Sequence, residues 1–142
     1  MSHHLVLDTN IVLDTLVFRD LRTHALRAAV FDEPVMPDLL WLATAPMREE
    51  LARVLVYPQS AVRLAVHGLQ AAQILSQFDA RARIVPVAPT APATCKDPDD
   101  QKFIDLAVSH GATLLSKDKA VLCIRKRLMK LGVVDVGVEW RS

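Results

Sequence analysis

The chain has only two cysteines, Cys95 and Cys123, far apart and with no histidine at zinc-finger spacing. That pattern excludes a disulfide framework and a structural zinc site, and it fits a reducing cytoplasm. No apolar run reaches membrane-spanning length. The start, Met1-Ser2-His3-His4 leading straight into Leu5-Val6-Leu7-Asp8, lacks the cationic head and apolar stretch of a signal peptide. Neither export nor membrane association is expected. The chain also lacks an excess of charge, with 17 Lys and Arg against 16 Asp and Glu for a formal net charge of +1. Whole-molecule charge therefore gives no support for nucleic-acid binding, and any such surface has to be local.

What is present is apolar material, 51% hydrophobic over 142 residues. This suffices for one sizeable core and is too short for two ordinary domains, so one domain over residues 1–142 is expected. Leu5-Val6-Leu7, closed by Asp8-Thr9-Asn10, has the length and abrupt polar end of a buried central strand entering a turn. Helices are expected over Ile11 to Phe18 and His24 to Phe31, before Pro34 and Pro37 interrupt. Leu40 to Ala43 reads as the next strand, and Thr44 as the N-cap of a helix ending near Tyr57-Pro58. Ser60 is expected to cap a further helical stretch to Phe78, broken at Gly68.

Ile84-Val85 is a weak strand, and Pro86 to Pro92 an extended connector. Asp97-Pro98 then opens a helix that closes at His110-Gly111. Thr113 to Ser116 is a strand, Lys119 to Leu131 a last helix stopped by Gly132, and Val133 to Val136 a final strand. Strands alternating with helices imply a parallel sheet covered on both faces.

Four acids fall where such a fold would gather them. Asp8 ends the first strand, and in open α/β sheets ligands bind outside the carboxyl ends of the strands. It is equally a turn-forming Asp, and Thr9-Asn10 beside it would orient the acid or contact substrate. Glu50 shares a helix face with Met47 and Val54, whereas Glu49 faces Arg53 as an ordinary exposed pair. Asp100 stands over Phe103, Ile104 and Ala107, toward the core; Asp99 and Asp105 share a face with Lys102 on the solvated side, and Asp97 is explained as the N-cap.

Asp118 follows a strand and is also a fitting N-cap. Lys117 and Lys119 can hold phosphate or serve as solvated flanks, and Arg125-Lys126-Arg127 with Lys130 forms a basic helix surface. Gathered carboxylates either rise in pKa or bind a cation, and hard oxygen ligands suit Mg²⁺ or Mn²⁺.

Leu7-Asp8-Thr9-Asn10, Arg48-Glu49-Glu50-Leu51, Asp97-Pro98-Asp99-Asp100-Gln101-Lys102-Phe103 and Ser116-Lys117-Asp118 occur in that order, with Asp118 following Asp100 by 18 residues. Together they resemble the PIN-domain nucleases, in the branch described as toxins of toxin–antitoxin systems, over nearly the whole chain. The resemblance implies a three-layer α/β/α sandwich around a central parallel sheet. It makes Asp8, Glu50, Asp100 and Asp118 the acidic quartet that holds Mg²⁺ or Mn²⁺ for RNA hydrolysis, with Asn10 and Ser116 as supporting polar residues. Ser116 stands where Thr is usual, and the hydroxyl is retained. Asp8 and Asp118 are the first choice as direct ligands, with Asp100 and Glu50 completing the site or acting through water.

The same resemblance implies an antitoxin protein covering the acidic cleft, and a homodimer. Two other readings stand beside it. One is a non-catalytic module of this fold that docks RNA or protein. The other is a phosphatase using Asp8 covalently, against which Asn10 speaks, since the usual pattern puts a second Asp there.

Overall fold

The structure, a computed structural model, describes residues 3–32 and 36–141. Strand β1 (His3–Leu7) lies at the centre of a five-stranded sheet with β2 (Leu39–Ala43) on one side and β4 (Thr113–Leu115) on the other. Beyond them lie β3 (Arg83–Ile84) and β5 (Asp135–Gly137), giving the order β3-β2-β1-β4-β5 with every pairing parallel. Leu5, Val6 and Leu7 are all buried, as a central strand covered on both faces requires. Trp41 of β2 packs edge-on between Phe31 and Phe78, with ring centroids 5.2 Å and 4.9 Å away.

The chain winds outward from β1 through β2 to β3, then returns across the sheet to β4 and β5. Right-handed connections then put α1 (Thr9–Leu16), α2 (His24–Val30), α3 (Ala45–Leu55), α4 (Pro58–Val66) and α5 (Ala71–Arg81) on one face. They put α6 (Gln101–His110), α7 (Lys119–Leu122) and α8 (Arg125–Lys130) on the other, where α6 packs on β1 and β4 and α8 on β5. This is the expected three-layer α/β/α arrangement. The strand order reverses between β1 and β4, and a crevice opens at the carboxyl ends of strands at such a switch point. Among the described residues, no helix is long and apolar enough to cross a membrane.

Most elements lie where the sequence puts them, and the departures have local causes. The helix expected over Lys119 to Leu131 is broken at Cys123 and Ile124, where Ile124 takes φ −105° and ψ 18°. The break lets Arg125 donate to Val136 O at 2.8 Å and to Asp135 at 2.6 Å on the neighbouring strand. Ser60 does not cap α4. Pro58 occupies its first turn, where its missing N–H costs nothing, and Tyr57 takes the cap position. Thr44 holds the cap position of α3 without a side-chain bond. The final strand begins at Asp135 instead of Val133, although Val134 N already bonds Ala112 O at 3.0 Å.

Asp105, expected on the solvated side, is half-buried and accepts from Ala91 N and Gln101 Nε2, each at 2.8 Å. It pins the proline-rich connector to α6. Gly68 and Gly111 sit at φ +64° and +59°, the left-handed conformation that ends α4 and α6. Pro37 precedes β2 as expected, and Pro34 lies outside the described residues.

Candidate metal centre

Asp8 leaves β1 as the N-cap of α1, which turns its carboxylate back over the strand end and buries it to 4% exposure. Its Oδ1 accepts from Asn10 N at 3.4 Å, and its Oδ2 accepts from the Ser116 hydroxyl at 2.8 Å. The register pairs Leu7 with Leu115, so Asp8 and Ser116 emerge side by side from adjacent strands. Ser116 Oγ in turn accepts the Asp118 N–H at 3.1 Å, and Asp118 caps α7 by accepting from Ala120 N at 2.9 Å. One buried hydroxyl thus joins the two strand-end acids.

Asp97 and Asp100 enter from the start of α6. Asp97 accepts from Asp99 N at 3.0 Å, the capping bond foreseen for it. The 3-10 turn that follows, Pro98–Asp100, swings Asp100 inward until it is 7% exposed, and its Oδ2 has no hydrogen-bond partner. Oxygens of Asp97, Asp100 and Asp118 all lie within 4.8 Å of one another. Burial first, then the close approach of the Asp118 carboxyl and the charges of Asp8, Asp118 and Asp97, push Asp100 up to about 8. Burial also raises Asp8, opposed by its bonds from Ser116 and Asn10 and reinforced by the charges of Glu50 and Asp118. These acids therefore feel one another directly.

Glu50 comes from α3, which Arg48 holds against α5 through a two-pronged pair with Asp79 at 2.7 and 2.8 Å. Its Oε2 accepts from the Thr9 hydroxyl and its Oε1 pairs with Lys102 Nζ at 3.0 Å. Lys102 also donates to Asp99 O at 2.6 Å. Thr9, expected to serve Asp8, instead binds Glu50, while the Asn10 backbone serves Asp8.

The quartet foreseen in the sequence is gathered at one sheet end, but its tightest part includes Asp97, read from sequence only as a cap. A cap and a ligand are not exclusive, because a carboxylate has two oxygens. Asp14 was also missed. It is buried in α1 and pairs with Lys117 at 2.7 Å, and an acid among Ile11, Val12, Leu13 and Leu16 was the signal. Lys119 is exposed. Of the basic helix surface, Arg125 is tied to β5 and Arg127 donates to Pro92 O at 2.8 Å.

A family model for the PIN domain matches residues 4–120, a span that holds every acid of the site. The chain belongs to the PIN domain family. No curated protein matches it in sequence. PIN domains have a nuclease-type fold and are usually metallo-nucleases, and the chemistry of this PIN domain's donor set agrees with that. An orphaned buried oxygen, a carboxyl raised to about 8 and two further carboxylates at hand are what a bound dication relieves.

Proposed function

We propose that this PIN domain is a divalent-metal-dependent ribonuclease that hydrolyses phosphodiester bonds of RNA. The observation that carries the reading is Asp100, whose Oδ2 is buried and unpartnered and which offers an oxygen within 4.8 Å of oxygens of Asp97 and Asp118. A group that costly to desolvate persists where a cation is its partner. Asp97, Asp100 and Asp118 would hold Mg²⁺ or Mn²⁺, with Asp8 and Glu50 closing the negative rim. When bound, the cation would offset phosphate charge, acidify a water and stabilise the leaving 3′ oxygen. Ser116 and the Asn10 amide fix the Asp8 carboxylate, and Thr9 and Lys102 fix Glu50. Lys117 and Lys119 flank Asp118 and would receive the phosphate backbone as point charges.

The test is incubation of purified protein with labelled structured and unstructured RNA, with and without divalent cation, beside Asp8→Asn. Cation-dependent loss of full-length RNA in the parent, absent in the variant, is the expected result. Intact RNA under every condition, with no cation binding by calorimetry, overturns it. That outcome would support the second reading, a non-catalytic RNA- or protein-binding module. Glu50 favours that reading, since its carboxylate is already engaged by Lys102 and Thr9.

The sequence resemblance further supports a cytoplasmic toxin whose antitoxin covers the acidic cleft, and a homodimer. Free Cys95 and Cys123 fit that compartment. Co-expression with the product of a neighbouring gene should abolish cleavage if the antitoxin assignment holds.

A further inference from the structure

Beside the carboxylates lies a second feature that the hydrolysis itself does not use. A cleft of about 490 Å³ runs between α1 and the α3–α4 junction, lined among others by Asn10, Asp14, Phe18, Tyr57, Gln59 and Lys117. Its size is that of small-molecule sites, roughly 300–1,000 Å³. Asn10 lies two residues beyond Asp8, and Lys117 directly precedes Asp118, so the cleft borders the acidic group along the chain.

Tyr57 is built to stand out of the fold. Pro58 restricts it to an extended conformation, observed at φ −65° and ψ 148°, and Tyr57 N bonds Val54 O at 3.1 Å. The backbone is fixed between two helices while the residue remains 54% exposed. A half-exposed aromatic side chain therefore stands at the wall of the cleft, open to a stacking partner. No side chain caps α4, so the first-turn N–H groups at Gln59 and Ser60 add positive potential at the same wall. Lys117 spends one of its three donors on Asp14 and keeps the others.

Aromatic faces, amide edges and an ammonium group together match one kind of ligand. We propose that this cleft is a subsite for an unstacked nucleobase of single-stranded RNA, next to the scissile phosphate. Tyr57 stacks on the base, Asn10 and Gln59 meet its hydrogen-bonding edge, and Lys117 meets the adjoining phosphate. A duplex cannot enter, because its bases are stacked on each other. The inference rests on the nuclease reading for the identity of the polymer, but its test does not depend on cleavage.

Tyr57 is the chain's only tyrosine. Full-length protein labelled with 3-fluorotyrosine therefore gives one ¹⁹F resonance, to be titrated in Mg²⁺ buffer with an uncleavable 2′-O-methyl tetranucleotide. The resonance should shift saturably with that oligonucleotide, and not with a strand of the same length carrying abasic residues or with a duplex. Anisotropy of the labelled tetranucleotide should show binding weakened roughly tenfold in Tyr57→Ala and largely kept in Tyr57→Phe. A resonance indifferent to the base-bearing strand, an equal shift with the abasic strand, or unchanged affinity in Tyr57→Ala overturns the subsite. Failure of the nuclease reading would show separately, as a cleavable RNA left intact by the parent protein.

Discussion

Ser116 and Asp8 emerge from neighbouring parallel strands so that the serine hydroxyl donates to Asp8 Oδ2 across 2.8 Å, with Ser116 fully buried. Ser116 Oγ also accepts from the Asp118 amide, so one atom sets the spacing of two acids. Ser116→Ala should lower cation affinity or cleavage rate by about 10- to 100-fold, the usual effect of removing a bond that orients a ligand. Ser116→Thr, which keeps the hydroxyl, should retain more than Ser116→Ala. Calorimetric titration of Mg²⁺ or Mn²⁺ checks both, and equal losses in the two variants would deny the bond this role.

The raised pKa of Asp100 gives a pH dependence with a definite sign. Below about pH 4 the carboxyl is protonated in folded and unfolded chains alike, and nothing is lost. Between about pH 4 and 8 the unfolded chain releases the proton while folded Asp100 keeps it, so the cation-free protein loses stability as pH rises through that window. In chelator, Asp100→Asn should melt several degrees above the parent at pH 8 and close to it at pH 4. Added cation should stabilise the parent more at pH 8 than at pH 6, because it competes with the same proton. Scanning fluorimetry over this range reads both effects.

Lys102 neutralises Glu50 through a half-buried pair at 3.0 Å. Removing it leaves the rim more negative without opening a cavity in the core. Lys102→Ala should therefore change folding stability by less than about 1 kcal/mol and tighten Mg²⁺ binding. A weaker cation affinity in the variant would mean that the orienting bond from Lys102 to Glu50 outweighs its neutralising charge.

The Asp14–Lys117 pair separates structural from substrate roles. Lys117→Met strands a buried carboxylate and should destabilise the fold by about 1–3 kcal/mol. Pairing it with Asp14→Leu should recover most of that loss, since an apolar pair can replace an ionic one. RNA affinity should stay low in the double variant, measured by filter binding at fixed salt, if Lys117 meets the backbone.

Strands β1, β2 and β4 and the capped turn leading into α6 were legible because each is a short apolar run or an Asp-Pro cap with a sharp polar boundary, although α6 itself begins only at Gln101 after the 3-10 turn. Local pattern reaches that far. The break between α7 and α8 was not legible, because Cys123 and Ile124 carry no helix-breaking chemistry and the bonds from Arg125 to β5 that accompany it are tertiary. Asp8, Asp100 and Asp118 could be picked out from strand ends and helix faces. Asp97 could not, because a helix cap fully accounts for an Asp before Pro until its carboxylate is seen near those of Asp100 and Asp118. Thr9 and Lys102 reach Glu50 across 41 and 52 residues of chain. No spacing rule within a single helix or strand covers such a pairing.

Arg127 lies beyond residue 120, where the family match ends, yet its guanidinium holds Pro92 O at 2.8 Å. Asp105 pins Ala91 from the other side. The segment delivering Asp97 is thereby braced front and back, once by its own following helix and once by the distant tail. Shortening this protein to the matched span would remove the rear brace and loosen the approach of Asp97, even with all five acids of the centre still in the chain.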